Sequence, residues 1–343
     1  MAQPSRCSGE GGFSTVELLA ATLLTVIVVG AALGLMNPQA LAARIQPDVV
    51  DAEQRLRVGV DVLLRDLYVA GAGMDSGTLA GPLGVHLPAV IPRRIGLRFS
   101  DAPGVALADA VTLLHVPSSS SQSGLASPLT SSTASLLALA GCSLGQAACG
   151  FNIGDGLMLF DDQGHFDLFT VLSTTGADAT LRHRGQQGAY PFPAGTHAAE
   201  AELRIYYFDA ASRQLRFSDG DNTDQPVIDG ISQLSLEYFG RATPPRAPKP
   251  PLGVANCLYD AAGVPEPALA TLPAGPDGLA ALPLTLLSDG PWCGVGDTRF
   301  DADLLRVRRV RVTIAVSAAS RSPGIRDPAA IFDVAPRNLA DQP

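Results

Sequence analysis

Aromatic residues are scarce, at 6% of 343 residues with one tryptophan, whereas glycine (35) and proline (27) are plentiful. That balance excludes a helical bundle and predicts short strands joined by many turns. Positive charge is in deficit too. A net charge of −9 and a pI near 5.0 exclude a broad phosphate-binding face, so nucleic acid is not an expected partner. The run Arg306, Arg308, Arg309 and Arg311 lies within strand-like alternation, where Arg309 reads as solvated strand surface. Catalytic signatures are missing: there is no Gly-x-Ser-x-Gly nucleophile motif and no phosphate loop, and His86, His115, His165, His183 and His197 have no metal-ligand spacing. The expectation is a non-enzymatic protein with no catalytic residue, cofactor or metal.

What is present begins at the N-terminus. From Leu18 to Met36 nineteen consecutive residues are uncharged and mostly apolar, enough to cross a bilayer as a helix. A secretory signal peptide places its small-residue cleavage site after such a run. Here Gly11-Gly12 precedes the run, and a carboxylate, Glu17, stands at its lip. A charge at the centre of a membrane helix costs roughly 2.5 kcal/mol or more, so Glu17 needs a partner or a purpose.

The string GGFSTVELLAATLLTVIVVGAALGL, residues 11–35, closely resembles the processing motif of type IV prepilins and type II secretion pseudopilins. The shared order is Gly before the cut, Phe first after it, Glu fifth, then an apolar stem. The resemblance implies that a membrane-embedded prepilin peptidase cuts between Gly12 and Phe13 and methylates the new Phe13 amine. It also implies that Glu17 pairs with the N-terminal amine of a neighbouring subunit during assembly. The leader carries Arg6 but also Glu10, so loop charge says little about orientation, and the resemblance supplies it: a single-pass bacterial inner-membrane protein whose C-terminal domain is periplasmic until it enters a pilus or pseudopilus.

The implied organisation is a cleaved leader (1–12), a transmembrane half-stem (13–36), an amphipathic half-stem (37–74) and a β-rich globular domain (75–343). The fold class is α+β, with a long stem helix packed on a mainly antiparallel β domain. Asn37-Pro38 is expected to interrupt the helix and Pro47 to break it again. Beyond them Leu56, Val60, Leu63 and Leu67 mark one face, with Arg57, Asp61 and Arg65 off it, until Gly71 and Gly73 stop the helix.

Strands are predicted over 110–116, 156–160, 167–173, 179–183, 201–208, 214–217, 231–239 and 305–316. In the last, Val307, Val310, Val312, Ile314 and Val316 face inward and Arg311 and Thr313 outward. The Ser-rich stretch 117–134 and the proline run in 242–251 read as poorly structured surface insertions in one globular domain.

Loss of the leader would remove Cys7 and leave Cys142, Cys149, Cys257 and Cys293, an even number suited to an oxidising compartment. Three pairings are open. The short separation favours Cys142 with Cys149, which leaves Cys257 with Cys293; four free thiols are the alternative. The spacing does not suit zinc. Asp161, Asp162 and Asp167 flank a turn at Gly164, and Asp219, Asp221 and Asp224 form another acidic turn. Oxygen-rich loops can bind calcium, but the order of the second lacks the glycine and terminal glutamate of a calcium loop and reads as a solvated hairpin turn. Trp292, beside Cys293, is expected to pack over a bridge.

Segments of the later chain, RLRVGVDVLLRDLYVAGAG, IGDGLMLFDDQGHFDLFTV, VIDGISQLSLEYFG and LRVRRVRVTIAVSAAS, resemble PilW-type minor pilins in that order, with J-type pseudopilins second. The resemblance implies a structural subunit that helps initiate, assemble or tip a type IV pilus. Its implied partners are the prepilin peptidase, other major and minor pilins or pseudopilins, an inner-membrane assembly platform and the lipid bilayer. A type II secretion pseudopilin and a surface-binding adhesin are the rival readings.

Overall fold

A computed structural model describes residues 12–73, 86–97, 100–116, 122–129, 133–137, 147–161, 163–184, 191–318, 326–337 and 339. The chain divides into two units, residues 1–51 with 318–325, and residues 52–317 with 326–343. One helix, α1 (Thr15–Val69), begins in the first unit and ends in the second. The expected interruption at Asn37-Pro38 and the break at Pro47 do not occur: α1 runs through both. Each proline withdraws one backbone donor, and in a helix of 55 residues the flanking turns carry the chain across that local loss.

The remaining elements are strands. The first are β1 (Val90–Ile91) and β2 (Ala110–His115). Next come β3 (Gln122–Leu125), β4 (Thr133–Leu137), β5 (Gly156–Phe160), β6 (Phe166–Thr175), β7 (Asp178–His183) and β8 (His197–Glu200). They are followed by β9 (Glu202–Asp209), β10 (Gln214–Ser218), β11 (Asp224–Asp229) and β12 (Ile231–Arg241). The last are β13 (Leu279–Leu282), β14 (Trp292–Cys293), β15 (Phe300–Asp301), β16 (Val307–Val316) and β17 (Ala329–Val334). The pairings are antiparallel throughout. An N-terminal apolar helix with a mainly antiparallel β domain makes the fold α+β.

Two open sheets have the orders β1-β2-β9-β10-β11 and β13-β12-β16-β17, and β14 pairs with β15 alone. Between the adjacent strands β2 and β9 the chain makes a closed six-stranded barrel, in the order β3-β4-β7-β6-β5-β8. Its interior is filled by side chains such as Leu125, Phe151, Leu157, Phe169, Leu181 and Phe192, as a barrel of this size requires. The stretch 117–134 is therefore not simply poor in structure. Its described part contains β3 and the start of β4, and β3 hydrogen-bonds to strands on both sides, so closure supplies the partners that a serine-rich strand cannot gain from apolar alternation.

The other strands follow their pattern. Val307, Val310, Val312, Ile314 and Val316 are all buried, although residues 302–306 form a 3-10 turn capped by Asp301, so the strand starts later than the pattern predicts. Arg309 is not freely solvated surface: it pairs with Asp277 and lies over the Phe239 ring, 4.5 Å from its centroid. The proline run 242–251 has no strand or helix, as expected, but it is tied to the rest of the excursion between β12 and β13. Asn256 Nδ2 donates to the Pro248 carbonyl at 2.9 Å and the Tyr259 hydroxyl to the Arg246 carbonyl at 2.8 Å.

Within the second unit, the last turns of α1 lie against both open sheets. A Cβ on Gly59 would come within 2.6 Å of Ile228 Cδ1 in β11 and 3.3 Å of Ile314 Cδ1 in β16, so the glycine permits the close approach. Of the predicted apolar face Leu56, Leu63 and Leu67 are buried and Val60 is half-buried, and Arg57, Asp61 and Arg65 are exposed. Gly71, at φ 77°, ends the helix in a conformation that favours glycine and donates its N–H to the Leu114 carbonyl, tying the helix end to β2.

Candidate functional site

The helix start carries the residues singled out by sequence. Phe13 is 91% exposed and directly precedes the capping residue Ser14. Ser14 Oγ accepts the Val16 N–H at 3.3 Å, and Glu17 Oε2 accepts the Ser14 N–H at 3.0 Å. The reach of Glu17 back to the N-cap is that of a capping box, with the serine hydroxyl bonded one residue earlier, to the second N–H of the helix. It was legible in Ser14-Thr15-Val16-Glu17, whose Ser-x-x-Glu spacing just before an apolar run is its signature. Reading Glu17 only as a charge in need of an intermolecular partner overlooked this local one.

Beyond the cap, Thr15–Gly34 is long and apolar enough to cross a membrane. None of this segment is buried within the protein, and Leu18, Leu23, Val26, Val28 and Leu33 are all open. Thr22 and Thr25 satisfy their hydroxyls internally, donating to the Leu19 and Ala21 carbonyls. The segment therefore offers hydrocarbon on every face, with its polar atoms paired along the helix itself.

At the other end of α1 sits a group that sequence periodicity missed. Asp66 neighbours the buried Leu67 and is itself 3% exposed. Arg204 Nη1 donates to its Oδ1 at 2.6 Å, and the Tyr206 hydroxyl donates to its Oδ2. Both partners come from β9, so a buried ionic clasp joins the helix to the middle of the first sheet. Burial, reinforced by the bond to Asp66, pushes the Tyr206 phenol well above its usual range. The only sequence hint was an acid next to the apolar stripe.

Cys257 is bonded to Cys293, with a Cα–Cα distance of 4.8 Å and a sequence separation of 36. The bond ties the proline-rich excursion to β14. Cys142, the proposed partner of Cys149, lies outside the described residues, as do Cys7 and most of the leader; Cys149 is buried in the barrel core. Trp292, next to the bonded Cys293, turns its ring to the Arg299 guanidinium, 4.7 Å from the centroid.

The acidic turns are held by the protein's own donors. Asp161 Oδ1 accepts the Gln163 and His165 N–H groups, and its Oδ2 meets His165 Nδ1 at 2.9 Å; Asp162 lies outside the described residues. Asp167 is buried, and burial lifts its carboxyl to about 7. In the second turn burial would raise the Asp219 carboxyl, but the three backbone N–H groups it accepts, together with the Thr223 side chain, hold it below the usual carboxylate range. Asp221 is not solvated as expected. It is buried, pairing with Arg182 of β7 at 2.6 Å and accepting from Thr170 of β6 at 2.8 Å, which clasps the turn to the barrel. Asp224 pairs with Arg216 at 2.9 Å.

A third acidic group, Asp289, Asp301 and Asp303, brings its carboxylate oxygens within 4.8 Å of one another. Asp301 accepts the Gly290 and Asp303 N–H groups, and Asp303 pairs with Arg306 at 2.6 Å. Arg306 also donates to the Ala242 and Ala270 carbonyls, so this group anchors the start of the excursion.

No family model matches this chain, and neither curated proteins nor solved structures give a match.

Proposed function

We propose that the chain is a type IV prepilin of the minor-pilin class, a structural subunit without catalysis that helps initiate, assemble or tip a pilus. The observation that carries this reading is the sequence order at the helix start: Gly12, Phe13 and Glu17, followed directly by a helix with hydrocarbon on every face. An apolar helix buried nowhere in its own chain suits a lipid bilayer before assembly and the core of a filament after it. In this reading Phe13, exposed just ahead of the cap, is the residue whose amine the peptidase frees and methylates.

Processing is the direct test. Mass spectrometry of the native protein, from cells with an active prepilin peptidase, should show N-methylated Phe13 at the N-terminus. An intact Met1 start would sink the proposal. Deletion should abolish surface pili with protein secretion intact; loss of secreted enzymes with pili intact would instead assign the subunit to a type II secretion pseudopilus.

The capping box refines the proposed role of Glu17. Glutamine serves as well as glutamate in the box but carries no charge. At equal membrane levels, both Glu17→Gln and Glu17→Ala should be cleaved and inserted normally, yet be recovered less in sheared filaments. Wild-type recovery of Glu17→Gln would mean that capping, and not pairing with a neighbour's amine, is what the position contributes.

A further inference from the structure

A cavity of about 580 Å³ opens where the end of α1, the barrel and the first sheet converge, all within the second unit. That volume suits a small molecule rather than a folded partner. Its apolar lining includes Val62 from the helix, Phe217 from β10, and Pro226 and Val227 from β11.

The charges around it fall into two groups. Asp66 is taken by Arg204, and Glu202 is paired with His115 at 2.9 Å. Arg184 differs from the other two arginines of the lining, because among the described residues no carboxylate lies within ion-pair distance of it. Its Nε donates to Thr170 Oγ1 at 2.8 Å, which aims the guanidinium while leaving its Nη groups without a described acceptor. Burial holds Arg184 below its ordinary value, so an arriving anion would offset a desolvation cost already present.

The rest of the lining limits what that anion can be. Five carboxylates face three guanidiniums around the cavity, a surplus that disfavours phosphate and any polyanion. A ligand carrying one carboxylate and one ammonium fits both signs. Asp155 and Asp219 bond to their own turns, and a carboxylate has acceptor capacity beyond such bonds.

We propose that this cavity binds a small zwitterion, an amino acid or short peptide with free termini, whose carboxylate is held by Arg184 and whose ammonium is held by Asp155 and Asp219. The site does not depend on pilus assembly, and it is tested separately.

The experiment is isothermal titration of the full chain in detergent micelles. The probes are phenylalanine, alanyl-phenylalanine, the N-acetyl and C-terminal amide forms of that dipeptide, and inorganic phosphate. Saturable binding of phenylalanine or alanyl-phenylalanine is expected, the tighter of the two showing which length the cavity takes. Amidation should weaken dipeptide binding about tenfold or more and acetylation by a smaller factor. Arg184→Gln should reproduce the loss caused by amidation, and amidation itself tests the carboxylate contact without altering the protein. The proposal is overturned by absence of saturable binding with both free-termini probes, by affinity unchanged on amidation, or by phosphate binding as tightly as the dipeptide.

Discussion

Between Thr15 and Gly34 the helix leaves Leu18, Leu23, Val26 and Leu33 each more than half open, whereas between Ala52 and Val69 the same helix buries Leu56, Leu63 and Leu67. The contrast is one of pattern more than of apolar content. Apolar residues surround the first segment, and no single protein face can cover a cylinder on all sides. In the second they repeat at helical spacing, and one stripe meets the sheets while Arg57, Asp61 and Arg65 stay in water. The second segment can also hold a buried charge, Asp66, because β9 brings Arg204 and Tyr206 to it.

Substitutions can break or sharpen this contrast. The largest effect is expected from Leu63→Ala, which empties a site that is 1% exposed; it should destabilise the domain by about 4 kcal/mol in denaturant unfolding of the detergent-solubilised protein. A change below about 1 kcal/mol would mean that the stripe is not held against the sheets. Asp66→Ala comes next, at about 3 kcal/mol, because it leaves Arg204 and the Tyr206 hydroxyl without their acceptor. The estimate sits at the low end for a broken buried pair because Arg204 keeps some contact with water. If the double variant Asp66→Asn with Arg204→Met equals wild type in stability, the clasp contributes orientation and not net stability.

Val26→Asp addresses the other segment. It should cost about 2.5–3.5 kcal/mol of membrane insertion, read as a shift from the membrane to the soluble fraction, with domain unfolding unchanged. The smallest effect is expected from Leu24→Ala, within about 0.5 kcal/mol of wild type in unfolding, since that side chain is 62% exposed. A Leu24→Ala effect as large as that of Leu63→Ala would erase the distinction between the two halves.

The helix and its buried stripe were readable from the sequence because helical periodicity is local, and so were Gly156–Phe160 and most of Val307–Val316, where short apolar runs and alternation mark strands. Continuity through Asn37-Pro38 and Pro47 was not. A proline penalty can be read from one residue, but whether the helix continues depends on the balance over many turns. The barrel was equally hidden: three of its strands were recognised, yet Gln122–Leu125 is strand only because β4 and β8 bond to it from both sides. At the candidate site, Gly12, Phe13 and Glu17 stood out by order alone, and the Ser14 cap was present in the same letters.

By itself, then, the sequence determined what nearest neighbours along the chain decide: an N-terminal helix with no polar face, a second half with one apolar stripe, and strands wherever alternation was strict. Tertiary structure alone decided what needs partners distant in sequence. Asp66 is a clasp because β9 lies 138 residues away in sequence and 2.6 Å away in space. Asp221 is buried because Arg182 and Thr170 reach it from the barrel. Arg184 is left facing a cavity because three separate elements close around it. A buried charge is tolerated only where opposite charge or hydrogen-bond donors meet it, and that meeting is a property of the fold.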